Sequence, residues 1–345
     1  MAAPSGLAAR LAATLQAHWW RRRPSALAQA LRPLSWLYSA LAGLHRALTV
    51  AQSAPVPVIV VGNLVVGGAG KTPTVIALVQ ALQGAGWHPG VLSRGYARRG
   101  SDVVEVGPGS TTAEVGDEPV LIHRRTGAPV VVGARRLAAA RALCAAHAEV
   151  DVLVSDDGLQ HHALGRAAEL VVFDDRGVGN GLLLPAGPLR QPLPAQLHAG
   201  ALALYTGTQA STRLPGALAT RALGLAWPLA AWWQGDAAAA RPLDALRGRP
   251  LWAAAGLAAP EKFFNMLEDA GLVLRRLPLP DHASFDPLPW LEMPAPEVLV
   301  TEKDAVKLQP GRPGTEHVWV VPLDFALPAE WVRELIALLP RPNPD

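Results

Sequence analysis

The sequence predicts an α/β protein: a mainly parallel sheet with helices on both faces, a smaller second α/β domain, and a basic amphipathic helical segment ahead of both. Three observations predict it. From residue 57 onward, short Val/Ile/Leu runs alternate with Ala-rich helical stretches, the succession that a parallel sheet requires. That alternation lapses over 206–249, rich in Ala, Pro and Trp, and then resumes. Half of the 345 residues are apolar and 17% are charged, enough for buried cores and contrary to a disordered chain. The expected division is a helical segment at 1–50, a first α/β domain at 51–225 and a second at 226–345, the last helix packing back on the first domain.

Residues 5–50 read as one or two helices, broken at Pro24 and Pro33. Leu7, Leu11, Leu15 and Trp19 recur at four-residue spacing; Leu34, Leu37, Leu41, Leu44 and Leu48 continue at three and four. Trp19, Trp20 and Trp36 stand among arginines, with no acid nearby. Two readings fit: a helix lying in an anionic membrane surface, or a core-facing helix with a solvated basic face. Its charge-free stretches, such as that between Arg32 and Arg46, fall short of the ~20 residues a membrane span needs. Arg10, Gln16 and His18 interrupt the apolar run that a secretory leader would require, so a cytoplasmic protein is expected, peripheral if it meets a membrane.

The elements that follow are a buried strand at Val58–Val61, a helix at 72–83, and strands at Gly90–Leu92 and Pro129–Val132. A helix at 134–147 and strands at Val152–Val154 and Leu170–Phe173 come next, then a Gly/Pro-rich loop at 175–198. The second set comprises strands at 251–255, 272–277, Val298–Val300 and Val318–Val321, with helices at 260–269 and 329–338.

The net charge of +3 conceals a partition. Residues 1–101 carry ten Lys/Arg and no acid, so the remaining chain is −7. Such asymmetry points to an anionic partner for the N-terminal part: nucleic acid, nucleotide phosphates or an anionic membrane. A single cysteine, Cys144, excludes a disulfide framework and a multi-cysteine metal site. Only four lysines (Lys71, Lys262, Lys303, Lys307) stand against 27 arginines, so a surviving lysine hints at a need for that side chain.

The strongest local signal is Gly67-Gly68-Ala69-Gly70-Lys71-Thr72, directly after a buried strand and opening a helix. Backbone N–H groups of such a loop cradle phosphates, Lys71 reaches the β- and γ-phosphates, and the Thr72 hydroxyl ligates Mg²⁺. Val65 replaces the first glycine of the strict P-loop pattern, making this loop a variant. About 85 residues downstream, an apolar strand ends in Asp156-Asp157, acids able to hold the metal: Asp156 through water, with Asp157 beside it. Asp117-Glu118-Pro119 reads locally as a helix N-cap and first turn. Asp281-His282 reads as the end of a strand, with nothing local to elevate the histidine.

Taken in order, these segments resemble the tetraacyldisaccharide 4′-kinase family of lipid A synthesis. The matching pieces include Val61-Gly62-Asn63-Leu64 with the P-loop, Leu92-Ser93-Arg94-Gly95-Tyr96, Gly116-Asp117-Glu118-Pro119 and Ser155-Asp156-Asp157-Gly158-Leu159-Gln160-His161. Further ones are Leu184–Arg190, Ala255-Gly256 through Pro260, Pro280-Asp281-His282 and Thr301–Lys307, so the resemblance spans roughly residues 10–335. It implies transfer of the γ-phosphoryl group of ATP, with Mg²⁺, to the 4′-hydroxyl of a tetraacyldisaccharide 1-phosphate, giving lipid IVA. It also implies a peripheral site at the cytoplasmic face of the bacterial inner membrane, a lipid substrate, and no nucleic acid or obligate protein partner.

By the same resemblance, Asp117 is the base that takes the hydroxyl proton, and His282 orients it or raises its basicity. One partner would come from each domain, so closure would assemble the pair. Glu118, Asp156 and Asp157 match the acids associated with the metal, while Arg94, Gln160 and His161 fall in the site region without assigned roles. Ala69 and Gln191 depart from the family's usual loop Ser/Thr and Glu without touching the transfer machinery.

Other classes fit less well. A partitioning-type membrane ATPase would place a lysine before the double glycine, where Val66 stands. A GTPase base-reading loop fails because Glu302 occupies its lysine position. A nucleic-acid-binding arm lacks a recognition motif, and its basic residues are interleaved with Leu and Trp.

Overall fold

The computed structural model describes residues 14–96, 98–293 and 297–340. In chain order the strands are β1 (Val58–Gly62), β2 (Pro89–Ser93), β3 (Val104–Glu105), β4 (Val130–Val132), β5 (Val152–Asp156), β6 (Ala168–Phe173), β7 (Ala201–Tyr205) and β8 (Gly216–Leu218). They continue with β9 (Thr220–Leu223), β10 (Trp227–Pro228), β11 (Leu251–Ala255), β12 (Leu274–Pro278), β13 (Glu297–Thr301), β14 (Val318–Val321) and β15 (Leu323–Ala326).

Two compact units result. The first is Met1–Arg94, Arg135–Ala219 and Leu327–Asp345; the second is Gly95–Ala134 and Thr220–Ala326. In the first unit, six strands run parallel in the order β2-β5-β1-β6-β7-β8. Every residue of β1 and β5 is buried, as expected of parallel strands covered on both faces. The helix Lys71–Gly84 packs on β1, β2 and β5 through an apolar surface that includes Val75, Leu78, Val79 and Leu82. Because β1 lies between β5 and β6, the chain leaves it where the strand order reverses. In open parallel sheets, ligands bind beyond the carboxyl ends of the strands at that point.

In the second unit, five strands follow the order β10-β14-β13-β11-β12, parallel except for the antiparallel β10–β14 pair. Phe263, Phe264 and Leu267 of the helix Pro260–Asp269 fill its core against Leu251, Ala253 and Leu299. Two antiparallel pairs, β3–β4 and β9–β15, complete the unit.

Several expectations need correction. Residues 95–134, expected within the first domain, cluster instead with Thr220–Ala326. The stretch 206–249 holds β8, β9, β10 and the helix Leu229–Gln234, strands too short for a sequence period to reveal. Pro33 does not break a helix: it sits in the first turn of the helix Arg32–Leu48, where its missing N–H costs nothing, and the break falls at Leu31. Leu7, Arg10 and Leu11 lie outside the described residues.

The helix Arg32–Leu48 has an inverted polarity. Its Ser35 hydroxyl donates to Leu183 O (2.9 Å) and its Tyr38 hydroxyl to Arg190 O (2.8 Å), docking a polar face on the first unit. Leu34, Leu37, Leu41, Leu44 and Leu48 form the other stripe and are 52–73% exposed. The core-facing reading of this helix is therefore wrong. No helix among the described residues is long and apolar enough to cross a membrane.

Candidate active site

The nucleotide half is built at the carboxyl ends of β1, β5 and β2. Gly70 caps the helix Lys71–Gly84 with φ of 86°, and an added Cβ would come within 3.0 Å of the Thr206 side chain. Only glycine meets both demands cheaply. Thr206 also donates its hydroxyl to Ala69 O (3.0 Å), pinning the loop from the end of β7. Arg176 donates to Gly68 O, pairs with Asp174 (2.8 Å) and stacks its guanidinium over Trp20 at 4.2 Å. The P-loop is thus tied to the N-terminal segment.

Lys71 donates from Nζ to Asn63 Oδ1 (3.1 Å) and faces Asp157 Oδ1 at 3.6 Å; Asn63 in turn donates from Nδ2 to Gly67 O (3.1 Å). Asn63 therefore bridges the strand end, the loop and its lysine. Arg190 reaches Asp157 Oδ1 (3.2 Å) and Gln160 Oε1 (3.1 Å), and Gln160 donates to Asn63 O (3.2 Å). Asp157 adopts a left-handed φ of 49°, an uncommon conformation that turns the chain at the end of β5. Asp156 is buried and accepts from the Ser93 hydroxyl (3.3 Å). Burial first, then the charges of Arg136, Arg166, His162 and Arg94, hold the His161 pKa below its ordinary value. Arg94 ends the segment after β2 and is exposed.

The second half lies wholly in the second unit. Gly116, with φ of 95°, is the cap of the helix Asp117–Thr126, and a Cβ there would meet Tyr96 O at 3.1 Å. Asp117 is thus the first helical residue and not the cap, and its carboxylate sits at the positive end of the helix dipole. His282 Nδ1 donates to Asp117 Oδ2 (2.8 Å), while the Glu118 N–H donates to Asp117 Oδ1 (3.0 Å). His282 lies in a turn beyond β12, not in a strand, with a left-handed φ of 60°, and its ring is 5.1 Å from that of Tyr96.

Burial of Asp117 works to raise its pKa, but the His282 hydrogen bond and the charges of Lys303, His282 and Lys307 outweigh it and hold the carboxyl below its ordinary value. The hydrogen bond to Asp117 raises His282 against its own burial. Two expectations change. The pair is assembled within one unit, so closure is not needed to form it. His282 orients Asp117 but lowers its basicity, because it hydrogen-bonds the charged form.

Sequence reasoning left Lys303 without a role. Its Nζ lies 3.2 Å from Glu118 Oε1 and 3.5 Å from Asp281 Oδ1. The rest of Thr301–Lys307 is a buried junction. Thr301 caps the short helix Glu302–Ala305, Glu302 accepts from Trp232 Nε1 (3.2 Å) and pairs with Arg125, and Asp304 accepts from Gly256 N (3.1 Å) and Lys307 (3.0 Å).

Of the expected site residues, Lys71, Thr72, Asp156, Asp157, Gln160 and His161 belong to the first half, together with the loop glycines and Arg94. Asp117, Glu118 and His282 belong to the second. Thr72, Asp156 and Asp157 offer hydroxyl and carboxylate oxygens, a donor set that suits a hard dication.

Residues 27–340 match the family described as tetraacyldisaccharide-1-P 4′-kinase. The tetraacyldisaccharide 4′-kinase of Methylibium petroleiphilum is 54% identical over 92% of this chain and 91% of its own length. That of Leptothrix cholodnii is 50% identical over 99% and 100%. The crystal structure of LpxK from Aquifex aeolicus, an "apo" form in complex with ATP, has a TM-score of 0.72 at 26% identity, covering 91% of this chain and 99% of that one. A P-loop at the switch point of a parallel sheet, a separate Asp–His pair and near-full-length likeness converge: the chain belongs to the tetraacyldisaccharide 4′-kinase family.

Proposed function

We propose that the first unit holds ATP and that Asp117 of the second receives the proton of the 4′-hydroxyl of tetraacyldisaccharide 1-phosphate as that oxygen attacks the γ-phosphorus. The O–P bond forms, the bond to the β–γ bridging oxygen breaks, and ADP leaves. The observation that carries this reading is the 2.8 Å bond from His282 to Asp117 at a helix N-terminus, which fixes an ionised carboxylate in one orientation. A carboxylate of lowered pKa is a weak base. That suits phosphoryl transfer, whose loose transition state rewards positioning of the nucleophile more than early proton removal.

Lys71 leaves Asn63 and Asp157 for the β- and γ-phosphates, and the loop amides cradle them. Thr72, Asp156 and Asp157 are the residues that would hold Mg²⁺, which when bound neutralises charge on the phosphate oxygens. Glu118, first expected among the metal's acids, has Lys303 on its carboxylate, and we give it the role of holding that ammonium. Arg190 and Gln160 brace Asp157.

The leucine stripe of Arg32–Leu48, with Arg21, Arg22 and Arg23 exposed ahead of it, supports peripheral binding to an anionic leaflet at the cytoplasmic face of the inner membrane. Each arginine there adds about 1 kcal/mol.

Two variants separate the halves. Asp117→Asn lowers kcat about 10²–10⁴-fold with ATP affinity unchanged, whereas Lys71→Ala weakens ATP binding itself. Full turnover by Asp117→Asn removes it as the base, and unaltered ATP binding by Lys71→Ala removes the P-loop assignment.

A further inference from the structure

The residues next in sequence to each member of the Asp117–His282 pair meet on a single cation. Lys303 Nζ is 3.2 Å from Glu118, which follows Asp117, and 3.5 Å from Asp281, which precedes His282. Asp281 Oδ1 in turn lies 3.8 Å from His282 Nε2. One ammonium therefore ties the first turn of the helix Asp117–Thr126 to the turn that carries His282. The tie braces a turn in which His282 holds a left-handed backbone that non-glycine residues rarely adopt. Lys303 is itself fixed: it belongs to the short helix Glu302–Ala305, whose neighbours Glu302 and Asp304 are buried and fully bonded.

Resting on the assignment of Asp117 as base, we propose that Lys303 is a positioning residue for phosphoryl transfer, clamping Asp117 and His282 in register through Glu118 and Asp281. The same ammonium has an electrostatic signature. The charged groups facing Asp117 are His282, Lys303 and Lys307, with Glu118 beside it; those facing His282 are Asp117, Asp281 and Lys303. Burial of Lys303 favours its neutral form, but Glu118, Asp117 and Asp281 outweigh burial and keep it a cation throughout the working pH range. Among these groups Lys303 favours the ionised form of Asp117 and disfavours the imidazolium of His282. Its removal shifts both titrations upward. A mere packing role leaves both in place.

The test compares wild type, Lys303→Met and Lys303→Arg in the full chain, with kcat and KM measured from acid to alkaline pH and His282 titrated by imidazole NMR. A native circular-dichroism spectrum and a cooperative melting transition report that each variant is folded. For Lys303→Met we expect kcat to fall roughly 10–100-fold with KM for ATP unchanged, the scale of a misplaced reacting group. The acid limb of the kcat profile and the His282 midpoint should both move to higher pH, and Lys303→Arg should return both toward wild type. A lowered kcat with the limb and midpoint unmoved, or no rescue by arginine, overturns the proposal. Asp117→Asn in the same assay tells the two readings apart: full turnover there overturns the base assignment as well, whereas a collapse of kcat with an unmoved Lys303→Met profile overturns the clamp alone.

Discussion

At the scale of single residues, the Asp117–His282 bond makes a stability prediction whose sign follows from the two shifts. A carboxyl held below its ordinary value stabilises the fold above the unfolded pKa near 4 and loses that contribution as pH falls through the folded value. An imidazole held above its ordinary value stabilises below about pH 6.5 and loses that contribution as pH rises through the folded value. The difference in melting temperature between wild type and Asp117→Asn should therefore be largest between roughly pH 4 and 6.5 and shrink on the alkaline side. A difference that grows steadily with pH contradicts the ion pair. Asp117 and His282 were legible only through resemblance, since 165 residues separate them and neither has a local signature. Asn63, Arg190 and Lys303 stood inside matched motifs without roles, because each acts through a partner that only folding supplies. The scarcity of lysine pointed to the surviving lysines without itself assigning them a role. Lys71, Lys303 and Lys307 all engage carboxylates with side chains no more than 17% exposed.

Among the elements, the helix Arg32–Leu48 has the clearest consequence. Five leucines on its outward stripe, already partly covered, would each contribute about 1–2 kcal/mol on leaving water. Leu37→Glu with Leu41→Glu should weaken partitioning onto anionic vesicles at least about a hundredfold. The melting temperature should not change, because neither side chain supports the fold. Undiminished vesicle binding contradicts the interfacial role; a lower melting temperature shows that the stripe packs against protein. The leucine period was plain in the sequence, but not the direction it faces. That was decided by Ser35 and Tyr38, whose hydroxyls find carbonyls of the 183–190 loop and turn the polar side inward. Long apolar strands and the helices at 71–84 and 260–269 were readable from periodicity. Short elements such as β8, β10 and Glu302–Ala305 were not, since their conformation is set by caps and neighbouring strands.

For the whole molecule, the partition of charge and the partition of chemistry coincide only in part. The acid-free first 101 residues supply the lysine of the P-loop, the exposed arginines and the outward leucines. The acids of the later chain supply Asp156 and Asp157 to one unit, and Asp117, Glu118 and Asp281 to the other. The expected boundary near 225 lies close to Thr220, where the second unit resumes, but the unit's earlier stretch, Gly95–Ala134, was missed because it leaves no composition break. The central claim is transfer of the γ-phosphoryl group of ATP to the 4′-hydroxyl of the lipid, and one measurement addresses it most directly. The chain is incubated with γ-labelled ATP, Mg²⁺ and tetraacyldisaccharide 1-phosphate in mixed micelles, and the lipids are separated. Label in a bisphosphorylated lipid carrying its new phosphate on the 4′-oxygen is the predicted result; label released only as inorganic phosphate, with the lipid unchanged, contradicts the account.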